Sequence, residues 1–203
     1  MLEMITEVRR IGGRATVVFE SGRVMIVPHG LYMLNKLYPG QAIDPEKYET
    51  WRAGLEYGVA LERAAAYLKS RERSSGEIRE CLSQRGYRDE VVEKVILTLT
   101  ENRFVSDERF AGLWVDARAQ KLGRGRIRQE LRRKGLSEEA ASRALECFTD
   151  EDETEQAILQ AKKLLRHSND EKKNLNALVR KGYSFTLARK ALAAAAKEDD
   201  DEF

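Results

Sequence analysis

Few side chains in this sequence are of a type and spacing that could do chemistry. His29 and His167 each stand without a companion at ligand spacing, so a surface or satisfied structural role is expected of both. Cys81 and Cys147 are too far apart, and too far from the histidines, to suggest a metal set. They read as buried or half-buried free thiols, and nothing implies an oxidising compartment. Gly123-Arg124-Gly125 lacks the spacing of a phosphate-binding P-loop. At a helix start its amides could receive an anion, and a plain turn is an equal reading. No catalytic residue, metal ligand or cofactor site is assigned, and an enzyme is not expected.

The remaining charged material is concentrated. Between Arg118 and Lys134 stand eight basic residues (Arg118, Lys121, Arg124, Arg126, Arg128, Arg132, Arg133, Lys134) against one acid, Glu130. Segment 107–149 holds 10 basic and 7 acidic residues, whereas the whole chain balances 36 against 34, so the positive excess is central. Ile127 and Leu131, four apart, mark the inner face of a helix and turn the basic residues outward. Three readings stand for that face: a solvated surface, sequence-independent binding of nucleic acid, or docking on an acidic or mixed protein surface.

The elements that must carry this face come from the rest of the chain. Short β-branched runs at Met4–Ile11, Ala15–Glu20 and Val24–Val27 are split by Gly12-Gly13 and Ser21-Gly22, which predicts a hairpin or three-stranded meander. Leu31, Leu34 and Leu37 offer a helical stripe to cover it, ended by Pro39-Gly40; Asp44-Pro45 should cap the next helix. Trp51 could be core or surface.

From Leu55 the periodicity is helical and repeats. Gly86, Gly135 and Gly182 superpose with Leu82, Leu131 and Leu178 four residues before them and Tyr87, Leu136 and Tyr183 just after. The same register aligns Val92, Ala141 and Ala188, then Ile96, Leu145 and Leu192. It also aligns Leu68, Ala117 and Leu164, eighteen residues before each glycine, with Trp114 on the same inner face as Ala117. Each glycine suits a left-handed helix end. Ser74-x-x-Glu77 reads as a capping box, and acids after Ser106 and from Asp150 start further helices.

The expected fold is therefore mainly α: three tandem three-helix repeats in an elongated, curved array, with a small β-rich N-terminal subdomain. The expected boundaries are 1–54, 55–106, 107–149, 150–196 and an acidic disordered tail, 197–203. Helix-turn-helix DNA reading is not expected, because the helices after the glycine turns, Asp89–Thr98 and Glu138–Glu146, are apolar and acidic. No signal-peptide pattern or membrane-spanning run is read, so a cytoplasmic monomer is expected.

Three stretches resemble the RecX family of bacterial regulatory proteins. They are Tyr67-Leu68 through Arg73-Ser74-Ser75-Gly76-Glu77-Ile78, with Ile78 where leucine is usual; Asn102 through Ala111; and Arg124 through Gly135. The resemblance is strong over about 60–150 and weaker in the third repeat. The β-rich start is similar to an extension that some members carry. It implies a non-enzymatic regulator that binds the RecA–DNA filament in its groove and inhibits recombinase, ATPase and coprotease activities. Single-stranded DNA, and with it double-stranded DNA, would then be weak, non-specific partners. The alternative is a sequence-independent DNA-binding protein. The partner face expected on this reading is the eight-residue cluster together with Arg71 and Arg73 of repeat one and Lys172, Lys173, Arg180 and Lys181 of repeat three.

Overall fold

The structure, a computed structural model, describes residues 1–168 and 170–201, with side chains through Lys197. It forms two compact units, Met1–Ser106 and Asp107 onward. The first contains β1 (Glu3–Ile11), β2 (Arg14–Phe19), β3 (Val24–Pro28), α1 (His29–Leu34), β4 (Ala42–Ile43), α2 (Pro45–Leu68), α3 (Ser75–Ser83) and α4 (Asp89–Glu101). The sheet is antiparallel in the order β3-β2-β1-β4. Alternation places Ala15, Val17, Phe19, Met25 and Val27 on the inner face, where Leu31, Leu37 and Tyr48 close the core. Trp51 is half-buried against this core, its ring 5.1 Å from that of Tyr48.

Two details depart from the sequence reading. β4 is an added strand, pairing Ala42 with Met4 and Ile43 with Glu3; two residues are too few to show a period. Leu34 is 62% exposed, because α1 stops there and Leu37 enters the core from the following loop, with Tyr32 buried beside it. Asp44 caps α2 as expected, accepting from the amides of Glu46 and Lys47 at 3.1 and 3.4 Å. That helix then runs unbroken past residue 54. Its first half covers the sheet through Tyr48, and its second half buries Ala60 and Ala64 with α3 and α4.

The second unit contains α5 (Asp107–Ala119), α6 (Arg124–Arg133), α7 (Glu138–Leu145), α8 (Asp150–Leu165), α9 (Glu171–Arg180) and α10 (Phe185–Asp201). The backbone of α10 is helical past Lys197, while the acidic side chains of the expected tail lie outside the described residues. Two cores are built in this unit. One gathers Phe110, Val115, Ile127, Leu131 and Leu145; the other is rich in alanine, with Ala157, Ala161, Ala188 and Ala191 buried where α8 and α10 approach closely.

The three glycines close their helices in the same way. Gly86, Gly135 and Gly182 have φ of 81°, 83° and 95°. The amides of Tyr87, Leu136 and Tyr183 reach back to the carbonyls of Leu82, Leu131 and Leu178 at 3.4, 3.3 and 3.3 Å, a Schellman closure each time. Leu82, Leu131 and Leu178 are all fully buried. The glycine register does not extend to the first helix of each unit, for Ala117 is exposed. The connections before the second helix differ in length, spanning 69–74, 120–123 and 166–170. The buried first-helix residues Ala64, Val115 and Ala161 move with them, standing 22, 20 and 21 residues before their glycines.

Candidate functional site

α6 carries the basic cluster, and its start is unlike that of its counterparts. Ser74 and Asp170 cap α3 and α9 with their own side chains, whereas the N-cap of α6 is Gly123. Here the amides are already engaged. Gly123 and Gly125 donate to the carbonyls of Lys181 and Gly182 at 3.0 and 3.2 Å, and Arg124 N donates to Glu153 Oε1 at 2.7 Å. A β-carbon on Gly123 would stand 2.7 Å from the Gly182 backbone, so this position requires glycine for close approach. The anion at this helix start is thus supplied by α8 of the same unit, in keeping with the positive end of a helix. An external anion has no vacant amide there.

The eight cations fall into distinct settings. Arg124 is consumed internally: its guanidinium bonds to the Phe148 carbonyl, with Nε at 2.8 Å, and pairs with Asp150. It is therefore a tie between α6 and the start of α8. Arg118, Arg126 and Lys134 gather around the single acid of the stretch. Glu130 pairs with Arg118 at 3.3 Å and Arg126 at 3.4 Å and accepts from Trp114 Nε1 at 3.1 Å, while Arg118 and Lys134 lie over the indole at 4.7 and 5.2 Å. Trp114 itself packs against the core and stacks on Phe110 at 5.6 Å. Its ring is occupied and offers no platform for a base.

Arg128 and Arg132 share Glu138, at 3.4 and 3.6 Å, with Arg128 and Glu138 about half exposed and Arg132 more so. Such pairs are worth only about 0–1 kcal/mol each, so another anion can replace Glu138 at small cost. Among the described residues Lys121 and Arg133 form no ion pair. Gly125, Arg128, Gln129, Arg132 and Arg133 line one shallow depression on the side of α6 opposite Ile127 and Leu131.

In repeat three, Lys172, Lys173 and Arg180 are exposed on α9. Lys181 is turned inward to Gln160 Oε1, and Gln160 in turn donates to the Gln120 carbonyl at 3.0 Å. Burial pushes the Lys181 ammonium down, with Lys163 adding to the effect. In repeat one, Arg71 forks onto Glu77 at 2.6 Å, and Arg73 is 13% exposed beneath its contact with the Tyr67 ring at 3.9 Å. Both are anchored to their own repeat through Glu77.

Sequence reasoning missed the carboxylates that organise the junctions. Fully buried Glu56 on α2 receives Arg52 at 2.8 and 3.1 Å, the Arg88 amide at 3.0 Å and the Arg88 guanidinium at 2.6 Å. Arg52 also donates to the carbonyls of Ile26 and Gly86, tying sheet to repeat. Burial alone would push the Glu56 carboxyl up; its bonds from Arg52 and the Arg88 amide outweigh this and hold it below the usual 4.5. An Arg-x-x-x-Glu spacing on one helix face was the available signal. His29 is exposed at the start of α1 and His167 is exposed beyond α8. Cys81 is buried, but Cys147 is exposed rather than half-buried, because it precedes the inward-turned Phe148 at the α7–α8 corner. No group of three or more His, Cys, Asp and Glu able to hold a metal occurs among the described residues. No described helix is long and apolar enough to cross a membrane.

Comparison with known proteins places this geometry. Residues 60–99 match the family description "RecX, first three-helix domain", and residues 106–145 match "RecX, second three-helix domain". The chain belongs to the RecX family. The regulatory protein RecX of Bacillus licheniformis is 30% identical over 159 residues, covering 72% of this chain and 60% of that protein. That of Bacillus subtilis is 29% identical over 175 residues, covering 82% and 66%. The chain thus spans about three-fifths to two-thirds of the length of these relatives. Two crystal structures share the fold. A regulatory protein RecX aligns over 92% of this chain and 97% of its own, with TM-score 0.61 and 23% identity; RecX from Lactobacillus salivarius aligns over 69% and 96%, with TM-score 0.62 and 21% identity.

Proposed function

We propose that this RecX-family chain is a non-enzymatic regulator of RecA that docks in the groove of the RecA–DNA filament and inhibits its recombinase, ATPase and coprotease activities. The observation that carries the reading is the outward side of α6. Arg128, Arg132 and Arg133 stand there together, held by at most one exchangeable, half-exposed carboxylate. Family membership supplies RecA as the partner. The docking face is α6 with Lys121 and, on α9, Lys172, Lys173 and Arg180; Arg118, Arg126 and Lys134 border it through the Trp114–Glu130 cluster. Arg71, Arg73, Arg124 and Lys181 serve instead to fix their own repeats.

Such a face suits a surface of mixed phosphate and carboxylate character, because guanidinium forks meet both. The test is titration into RecA-catalysed strand exchange and ATP hydrolysis, with the parent beside the Arg128→Ala, Arg132→Ala, Arg133→Ala triple variant. Loss of inhibition with an unchanged melting temperature supports the assignment. Equal inhibition by a folded variant overturns it. Tight binding to naked DNA with a steep salt slope, and no preference for the filament, would point to the plain DNA-binding alternative.

A further inference from the structure

The first unit contains a cavity that the regulatory reading leaves unused. It has a volume of about 420 Å³ and opens where the β1–β2 turn, the start of α1, the middle of α2 and the turn after α3 converge. Cavities of this size hold small organic ligands. Its polar lining holds two cations, Arg63 from α2 and Arg85 from the turn after α3, together with the imidazole of His29 and one carboxylate, Glu62.

Neither arginine is neutralised by a carboxylate among the described residues. Arg63 is exposed and forms no ion pair. Arg85 spends Nη1 on the Cys81 carbonyl at 2.7 Å and Cys81 Sγ at 3.2 Å, which orients the guanidinium without cancelling its charge. Two glycines let lining side chains approach the backbone closely. A β-carbon at Gly13 would stand 3.3 Å from Arg85 Cγ and Nε, and one at Gly30 would stand 2.4 Å from Val59 Cγ1. A further polar contributor is Tyr87, the residue after the repeated glycine. Its counterpart in repeat two is Leu136, which has no hydroxyl; the hydroxyl of Tyr183 in repeat three is buried with no hydrogen-bond partner among the described residues. At Tyr87 the ring lines the cavity, and burial pushes the phenol up to about 12 against the pull of nearby Arg63 and Arg85, so it stays a proton donor.

We infer that this cavity is a binding site for a small phosphate-bearing ligand, with the phosphate on Arg63 and Arg85 and its apolar remainder against Val59, Ala66 and the Tyr87 ring. Guanidiniums bind phosphate oxygens through paired N–H donors. The apolar wall favours an organic phosphate over a bare ion. Glu62 at the rim opposes the ligand charge and holds its affinity down. The site is built wholly within the first unit and does not depend on the α6 face.

The test is calorimetric titration of the full chain with inorganic pyrophosphate, AMP and an oligothymidylate lacking terminal phosphates. Saturable binding of AMP, tighter than that of pyrophosphate, is expected. Arg63→Gln, an exposed change that leaves the core intact, should weaken it by about tenfold, the loss of one charge-assisted contact. Arg85→Gln should weaken it at least as much, Glu62→Gln should strengthen it, and Arg133→Ala on α6 should leave it unchanged. Absence of saturable AMP binding overturns the inference. So does binding that survives both arginine changes, binding lost with Arg133→Ala, or an Arg63-dependent response to the oligonucleotide alone.

Discussion

The glycine turn of repeat one and that of repeat three do the same local job and are locked to their neighbours by different means. In the first unit, the Gly86 carbonyl receives Arg52, which also bonds fully buried Glu56, Glu49 and the Ile26 carbonyl of β3. In the second, the Gly182 carbonyl receives the Gly125 amide, and half-buried Glu153 holds the first amide of α6. Both glycines face a neighbour at short range: an added β-carbon would come to 2.5 Å from Ile26 Cγ2 at Gly86 and 2.2 Å from Arg126 N at Gly182. The turn that ends a helix is therefore also the socket into which the preceding element fits. Where that element is a strand, a buried ion network spans the join. Where it is another helix, backbone meets backbone and only glycine is small enough.

The comparison breaks most sharply at the buried ion network. Glu56→Ala strips Arg52 of its partner inside the protein, and a loss of about 3–5 kcal/mol is expected from urea unfolding. Acid should act on the same group. The folded-state pKa of Glu56 is lowered, so its contribution is present above the ordinary carboxylate value and is lost as pH falls through the folded pKa. Acid unfolding monitored separately in the two units, by hydrogen exchange, should show the parent losing protection around Glu56 below about pH 4.5, and Glu56→Gln flattening that dependence. An acid profile identical in parent and variant would sink the assignment.

Gly182→Ala comes next, at about 2–4 kcal/mol, since it combines a left-handed φ with overpacking against α6. Gly22→Ala isolates the first effect. Its φ is 82° with nothing within 4 Å, so about 1–2 kcal/mol is expected, and equal costs at the two sites would disprove the socket. Glu153→Gln should cost about 1 kcal/mol, the scale of a lost helix-start contact, because the amide keeps the carbonyl-type acceptor position. Arg132→Ala should change stability by no more than about 0.5 kcal/mol while weakening the proposed inhibition of RecA. A large loss of stability would mean that α6 needs its outer charges to fold.

Legibility followed locality. The capping residues Asp44 and Ser74, the left-handed glycines and the buried leucines before them were readable, because each depends on neighbours within one helical turn. Ala117 misled because a constant offset from the glycine was carried across connections of different length. Leu34 misled because α1 ends before its periodicity would require. The basic stretch was found, yet its eight members looked alike in sequence. Only packing separates Arg124, clamped to Phe148, from Arg133 in solvent.

The sequence by itself determined the helical repeat, its closing turns, the inward leucines and the outward placement of positive charge on α6. Those follow from backbone conformational limits and the spacing of apolar side chains, which operate over a few residues. Tertiary structure decided which charges are consumed, and by whom. Glu153 stands 29 residues from the amide it holds and Glu56 stands 32 from Arg88. Contacts at that separation depend on how helices meet, and the electrostatic cost of burial then fixes which cations stay bound within the fold and which face outward.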